Sequence, residues 1–511
     1  MLVLLASSVI VLAAAIFLFF FGDDILWFFK SLKYMKQGIK VCYSPIIGFM
    51  KFTESPGAKD GMEQWRKIFK NNKDPSKSEA LILSNGAGSF PVLFISDQKL
   101  LKDYFKIDGV ATCPYNLEKL PFDKSFLFNA GKKALEDRAI FAEIFYASNV
   151  RKLTPALHGI VKRNIAAIKK RVQEVKTGEA EFDIRADLQN IFREMTTFVL
   201  FGGDVPKIEG LSIIDQIERV VVGFFVYNMT NLPHKLTGGL YTRLGFSAYY
   251  NQLEGIHKKI GDLIRNTINT RKNSKEYKRG LNVIDLLIAH NEKMEAEGQT
   301  RRVLGLDEIV SNIILMIFAG VDTSKNLTSN CASELANYPK IQSELRSSIK
   351  SQIFEKEGGS EDYDAYIESE ILDNFFTEVL RLYTPSWSNF LRVAIKDFKI
   401  GKYKISKGTA IRISFLTLQS RPEDWKDPTK FDLMKYDDKA SMKEHKKSTL
   451  IPFSAGRRSC IGKNLAELSV KMIIANLANE FELASSTEEN RYVRQLLYSV
   501  QHCKFRLNLL E

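Results

Sequence analysis

The stretch from Asp307 to Asn337 constrains this chain more than any other. It contains no proline, and Asp307 and Glu308 stand in its first turn, where the positive end of a helix dipole favours acidic side chains. From Ile309 to Phe318 it is apolar nearly all round. A helix of that kind has to be surrounded by protein on every side. The chain therefore reads as a large helical body assembled around one interior helix, and its 511 residues give it the length to do so. Length alone would allow about three domains, but no linker divides the sequence and no repeat period or low-complexity tract is present.

The interior helix then does something costly. Ala319-Gly320-Val321-Asp322-Thr323-Ser324 puts a glycine and a carboxylate into the buried part. Glycine loses about 1 kcal/mol against alanine in a helix, and a buried carboxylate needs partners. Local inconsistency of this sort marks functional sites. Read without context, the threonine could instead bond back to the preceding turn's carbonyl and kink the helix.

A second stretch carries chemistry of its own. Phe453 to Gly462 reads Phe-Ser-Ala-Gly-Arg-Arg-Ser-Cys-Ile-Gly, a lone cysteine beside Arg457 and Arg458 with glycines on both sides. Glycines permit a tight loop with amide N–H groups turned inward. Cationic side chains, such amides and an iron would together hold Cys460 as a thiolate, where a free thiol titrates near ~8.5. Lys463 to Leu483 follows with Leu465, Leu468, Met472 and Leu477 at helical spacing, which sets a helix N-terminus beside the sulfur. A lone cysteine is ordinarily a small buried hydrophobe. The pattern Phe-x-x-Gly-x-Arg-x-Cys-x-Gly, filled by Phe453, Gly456, Arg458, Cys460 and Gly462, should arise by chance in only on the order of one in ten thousand chains of this length.

That pattern resembles the heme-binding loop of the cytochrome P-450 superfamily, the heme-thiolate monooxygenases. Ala319-Gly320-Val321-Asp322-Thr323 resembles the family's Ala-Gly-x-Asp-Thr. The resemblance implies that Ala319 and Gly320 let the helix pass close to heme b (iron protoporphyrin IX), that Thr323 hydrogen-bonds the bound oxygen or its water, and that Asp322 helps relay protons. Glu378 and Arg381, in Thr-Glu-Val-Leu-Arg-Leu-Tyr-Thr-Pro, resemble the family's Glu-x-x-Arg, a buried structural ion pair. Its third member would be Lys435, in Phe-Asp-Leu-Met-Lys-Tyr, where the family has an arginine; lysine lacks the planar fork. Arg138, Arg392 and Arg458 are the implied partners of the heme propionates, although Ala134 stands where the pattern Trp-x-x-x-Arg has its aromatic residue. The implied fold is mainly α with a small β-sheet region, an α+β body covering residues 45–511.

The rest of the chain is consistent with this order. A hairpin is expected around Asn85-Gly86, a helix from Gly131 to Phe145, a basic loop from Arg271 to Arg279, a short helix near Asn282 to His290, and a helix from Ser369 to Tyr383 ended by Pro385. Two short strands with glycine turns are expected after Arg392. Pro206 to Ser247 shows few clean periods, and in the family this region forms a mobile lid over substrate.

At the N-terminus, Met1 to Gly22 carries no charged side chain and as a helix would extend roughly 33 Å, enough to span a bilayer core. A cleaved signal peptide would have a basic leading region and a shorter apolar run. Trp27, Phe28 and Phe29, then Lys30, Lys33, Lys36 and Lys40, read as interfacial aromatics and a positive cytoplasmic flank. The expectation is an uncleaved transmembrane anchor at 1–22, a juxtamembrane linker at 23–44, and a catalytic domain facing the cytoplasm from the endoplasmic reticulum membrane. Five widely spaced cysteines without a Cys-x-x-Cys pair argue against a disulfide framework or a structural zinc and point to a reducing compartment. A net charge of +13 comes with no nucleic-acid motif, so membrane lipid and an acidic redox partner account for it.

Together these readings imply insertion of one oxygen atom from dioxygen into a lipophilic small molecule, with electrons from NADPH through a flavoprotein reductase. The alternatives are a heme-thiolate isomerase or dehydratase acting on a peroxide, which needs no proton relay, and a non-catalytic membrane heme-binding protein.

Overall fold

In the computed structural model one helix, Leu306–Asn337, has the surroundings its sequence demands. The structure describes residues 29, 31–42, 81–85, 91–107, 110–112, 122–129, 131–175, 181–203, 205–230, 240–278, 280–299, 302–436, 439, 449–485, 492–494, 498–500 and 504–510. The apolar segment Met1 to Gly22 and its aromatic neighbours Trp27 and Phe28 lie outside them. Among the described residues no helix is long and apolar enough to cross a membrane. The chain divides into two compact units, one of Met1–Pro114, Thr377–Ser459 and Arg491–Gln501, the other of Tyr115–Phe376, Cys460–Asn490 and His502–Glu511.

The first unit holds a six-stranded sheet in the order β1-β2-β3-β9-β6-β4. Its strands are β1 (Lys40–Cys42), β2 (Leu81–Asn85), β3 (Pro91–Ile95), β4 (Val110–Thr112), β6 (Arg392–Ala394) and β9 (Ala410–Ile413). The expected hairpin is present as the antiparallel pair β2–β3, with Leu81 opposite Ile95 and Asn85 opposite Pro91. Helix α1 (Gln98–Tyr104) is capped by Asp97, whose side chain accepts from the Leu100 N–H at 2.9 Å. Its Leu100, Leu101 and Tyr104 pack with Leu93, Ala394 and Ile413 in the core of this unit. The run after Arg392 makes more strands than expected. Between β6 and β9 it forms a separate ribbon of β7 (Phe398–Ile400) and β8 (Tyr403–Ile405), because Gly401 at φ +52° and Gly408 at φ +82° each turn the chain sharply.

In the second unit the long helices are α2 (Gly131–Ile144), α3 (Ala147–Glu174), α4 (Arg185–Phe201), α5 (Ile213–Thr230), α6 (Ala248–Ser274), α7 (Val283–Ala296), α8 (Leu306–Asn337), α9 (Pro339–Ile349) and α11 (Lys463–Glu480). Helix α10 (Glu370–Tyr383) runs from this unit into the first. Strands β5 (Glu181–Asp183), β10 (Phe481–Ser485) and β13 (Lys504–Leu509) form a small sheet ordered β10-β13-β5, and Tyr492–Arg494 and Tyr498–Val500, β11 and β12, form a ribbon in the first unit. Helix α8 packs against α4, α5, α6, α9, α11 and β10. Every residue from Ser324 to Ala336 is buried, so the apolar run identified in the sequence is only half of what this helix hides.

Several boundaries differ from the sequence reading for local reasons. The illegible stretch from Pro206 to Ser247 contains α5, whose amphipathic face was obscured by aromatic and asparagine residues near its end. The expected basic loop from Arg271 begins instead as the last turn of α6, because Arg271 is drawn to a buried carboxylate, Asp285, which accepts from its Nη2 at 2.6 Å. Helix α7 continues past His290 to Ala296, and the helix after Cys460 ends at Glu480, with Leu483 in β10.

Asp285 is fully buried and also takes the side chain of its own N-cap residue, Asn282. A Cβ built on Gly280 would lie 1.4 Å from Asp285 Oδ2. Gly280→Ala must therefore displace the carboxylate from Arg271. Urea unfolding should show a loss of about 3 kcal/mol, the scale of a broken buried ion pair.

Candidate active site

Helix α8 is covered unevenly. Between Met316 and Thr323 some residues are only half-buried, in contrast to the fully buried turns that follow. Phe318 stacks on Phe122 with ring centroids 5.7 Å apart. Met316, Ala319, Gly320 and Thr323 share a different face by the helical period. A Cβ built on Gly320 would meet no atom within 4 Å, so open space adjoins the helix there. Thr323 Oγ1 donates to the Ala319 carbonyl at 2.7 Å. This is the back-bond that the sequence left open as an alternative, and the helix continues through it to Asn337. With its proton committed to Ala319, the hydroxyl presents acceptor lone pairs.

Asp322 does not join that face. It is turned about 100° from Thr323, and its Oδ1 accepts from Lys325 Nζ at 2.6 Å. The lysine side chain is 10% exposed and the aspartate 21%. The carboxylate that the sequence assigned to a relay is thus held by a cation three residues on. That i, i+3 spacing was readable and went unread. Glu218 on α5 lies within the field of this pair: burial pushes its carboxyl up, the Asp322 charge adds to the rise, and Lys325 opposes it.

Cys460 precedes α11, which packs against α8. Its surface is accessible, yet protein crowds the sulfur enough for desolvation to dominate its ionisation. The Gly462 amide and the charges of Arg138 and Lys463 all act to lower the thiol pKa, but burial outweighs them and the net shift is upward. An amide and two cations beside a thiol are the surroundings that favour a thiolate. The glycines around the cysteine have separate tasks. Gly456 sits at φ +71° in a turn of 3₁₀ helix from Gly456 to Arg458, and Ser454 at φ +61° shares the left-handed conformation that side chains disfavour. A Cβ at Gly456 would stand 3.4 Å from Phe105. Phe453 is half-buried, as is Arg458, and Arg392 retains 9% exposure in β6. Arg392 and Arg458 belong to the first unit, Arg138 to the second.

Glu378 and Arg381 meet as expected, both fully buried. Arg381 donates through Nε to Oε2 at 2.7 Å and through Nη2 to Oε1 at 2.8 Å. Its Nη1 reaches the carbonyls of Gln419 at 3.1 Å and Pro428 at 2.7 Å, and the guanidinium lies 4.8 Å over the Trp425 ring. Lys435 joins, with Nζ 3.4 Å from Glu378 Oε1.

The sequence description of the cytochrome P450 family matches residues 59–502. The chain belongs to the cytochrome P450 family. Cytochrome P450 3A12 of Canis lupus familiaris is 30% identical over 236 residues, which are 45% of this chain and 45% of its own. Cytochrome P450 709B3 of Arabidopsis thaliana is 24% identical over 413 residues, 78% of this chain and 76% of its own. A 7-deoxyloganic acid hydroxylase of Catharanthus roseus is 24% identical over 422 residues, with the same shares of 78% and 76%. The chain thus spans less than half of the first relative's length and about three quarters of the other two. Heme iron is the cofactor of cytochromes P450, and the family is one of heme-thiolate monooxygenases.

In this P450 the lysine at 435 is compensated by its neighbour, which the sequence reading missed. Tyr436 donates its hydroxyl to Glu378 Oε2 at 3.0 Å, and the Asp432 N–H donates to Oε1 at 3.1 Å. A single-point ammonium and a phenol together supply what one guanidinium fork would. Burial also pulls the Lys435 pKa down, against the Glu378 charge that raises it. Tyr436→Phe should therefore lower unfolding stability by roughly 1.5–3 kcal/mol, the cost of a lost hydrogen bond to a charged group. Lys435→Arg added to it should recover part of that loss, as read by urea titration of both variants.

Proposed function

We infer that this cytochrome P450 is a membrane-anchored monooxygenase that inserts one oxygen atom from dioxygen into a lipophilic small molecule, taking electrons from NADPH through a flavoprotein reductase. The observation that carries this is the pairing, within one unit, of an accessible cysteine sulfur at the head of α11 with an uncovered strip of α8 bearing Gly320 and Thr323. The residues fit an iron porphyrin. Cys460 is exposed, the Gly462 amide and the charges of Arg138 and Lys463 favour its thiolate, and α8 carries no side chain at Gly320.

Heme b, bound through Cys460, would supply the iron centre whose thiolate donation favours O–O cleavage. This chain's own residues do the rest. Cys460 Sγ would hold the iron, oriented by the Gly462 amide. Arg138, with Arg392 and Arg458, would neutralise the porphyrin carboxylates by bidentate contacts. Ala319 and Gly320 would let the helix pass close to the group, and Met316, on the same face, would help keep water out. Thr323 Oγ1, its proton given to Ala319, can accept a hydrogen bond from a water and so hold a proton at that atom. Asp322 would take part in proton delivery by exchanging Lys325 for a water. Glu378, Arg381 and Lys435 hold the backbone and stay out of the chemistry. The anchor at 1–22, the linker at 23–44, the catalytic body from 45 onward and residence at the endoplasmic reticulum rest on the apolar and basic patterning of the N-terminus, and contact with membrane lipid follows from it.

The experiment is reduction with dithionite under carbon monoxide, followed by turnover of a lipophilic compound panel with reductase and NADPH. The parent chain should give the red-shifted band of a thiolate-ligated heme, and Cys460→Ser should lose it. Thr323→Ala should keep the band and go on consuming NADPH, while product per NADPH falls on the order of tenfold or more. An unchanged product yield in Thr323→Ala would remove the role given to that hydroxyl.

A further inference from the structure

Tyr104 ends α1 and is 7% exposed, its ring packed in the core of the first unit beside the β-sheet. A phenol in such a place ordinarily finds a hydrogen-bond partner. Another tyrosine of the same core does so: Tyr34 pairs its hydroxyl with Thr409 Oγ1 at 2.6 Å and accepts from the Ser406 N–H at 3.2 Å. Among the described residues the Tyr104 hydroxyl has no partner. It is not sealed off either, since it is absent from the enclosed unpaired atoms, which include the Tyr250 hydroxyl.

Two neighbours lie close to this end of α1. Arg392, on β6, is buried on the same side of the strand as Ala394, and Ala394 packs in the cluster that holds Tyr104. The next residue, Phe105, lies against Gly456, four residues ahead of Cys460 in the chain. The end of α1 is therefore set by an arginine strand and by the cysteine loop. The positive field of Arg392 reaches the phenol, and burial still pushes its pKa up to about 12, so the O–H remains a donor throughout the physiological range. A guanidinium is likewise donor only. Two such donors close together are a site for an anionic acceptor.

We propose that the Tyr104 hydroxyl donates a hydrogen bond to a carboxylate of the bound porphyrin, beside Arg392. This rests on the heme-thiolate reading above.

The test is Tyr104→Phe, which keeps the ring and its packing. Heme-loaded full-length parent and variant are mixed with excess apomyoglobin as a heme scavenger, and the release rate is followed with the resonance Raman carboxylate-bending band. The variant should release heme roughly tenfold faster, the effect of one hydrogen bond to a charged acceptor, and the bending band should shift while the carbon monoxide band stays in place. A release rate within about twofold of the parent with an unmoved bending band, in a protein whose carbon monoxide band is normal, overturns this proposal alone. A parent that never forms that band overturns the heme-thiolate reading and this inference with it.

Discussion

The structure depends on covering a single long helix. Helix α8 is buried along most of its length, and the side chains from Ser324 to Ala336 are hidden on all sides. No single layer of secondary structure can do this. Helices from before it, helices from after it and a strand from near the C-terminus all pack on it, so the second unit is closed only when distant parts of the chain have assembled. Within the polar half of α8, Thr328 turns back on the helix and donates to the Ser324 carbonyl at 2.9 Å.

Against that background the strip from Met316 to Thr323 is the exception, and the candidate site is built where burial is relaxed. Glycine at 320 removes the atoms that would fill the space, and Thr323 satisfies itself on Ala319 instead of reaching across it. The cysteine at the head of α11 is prepared by the same restraint. Its amide and cationic neighbours oppose the desolvation of the sulfur without overcoming it, which suits a group whose charge is completed by a metal.

Donors in this P450 are shared out differently from the family pattern. Where a guanidinium is missing at 435, an ammonium and the Tyr436 phenol divide its work on Glu378. The electrostatic requirement is kept there while the residue that meets it changes, since a buried carboxylate needs donors of the right number and direction and is indifferent to the element that supplies them.

The sequence by itself determined the interior helix, the hairpin of β2 and β3, the buried Glu378–Arg381 pair and the cysteine loop. Each is fixed by local chemistry: periodicity, glycine conformations and i, i+3 spacing act within a few residues. Tertiary structure alone decided that Asp322 is held by Lys325 and turned from Thr323, that α6 runs on to meet Asp285, and that Tyr436 and Tyr104 offer their hydroxyls where they do. The physical reason is that a buried polar group is satisfied by whichever donor or acceptor the packing brings near, and that partner can lie anywhere in the chain.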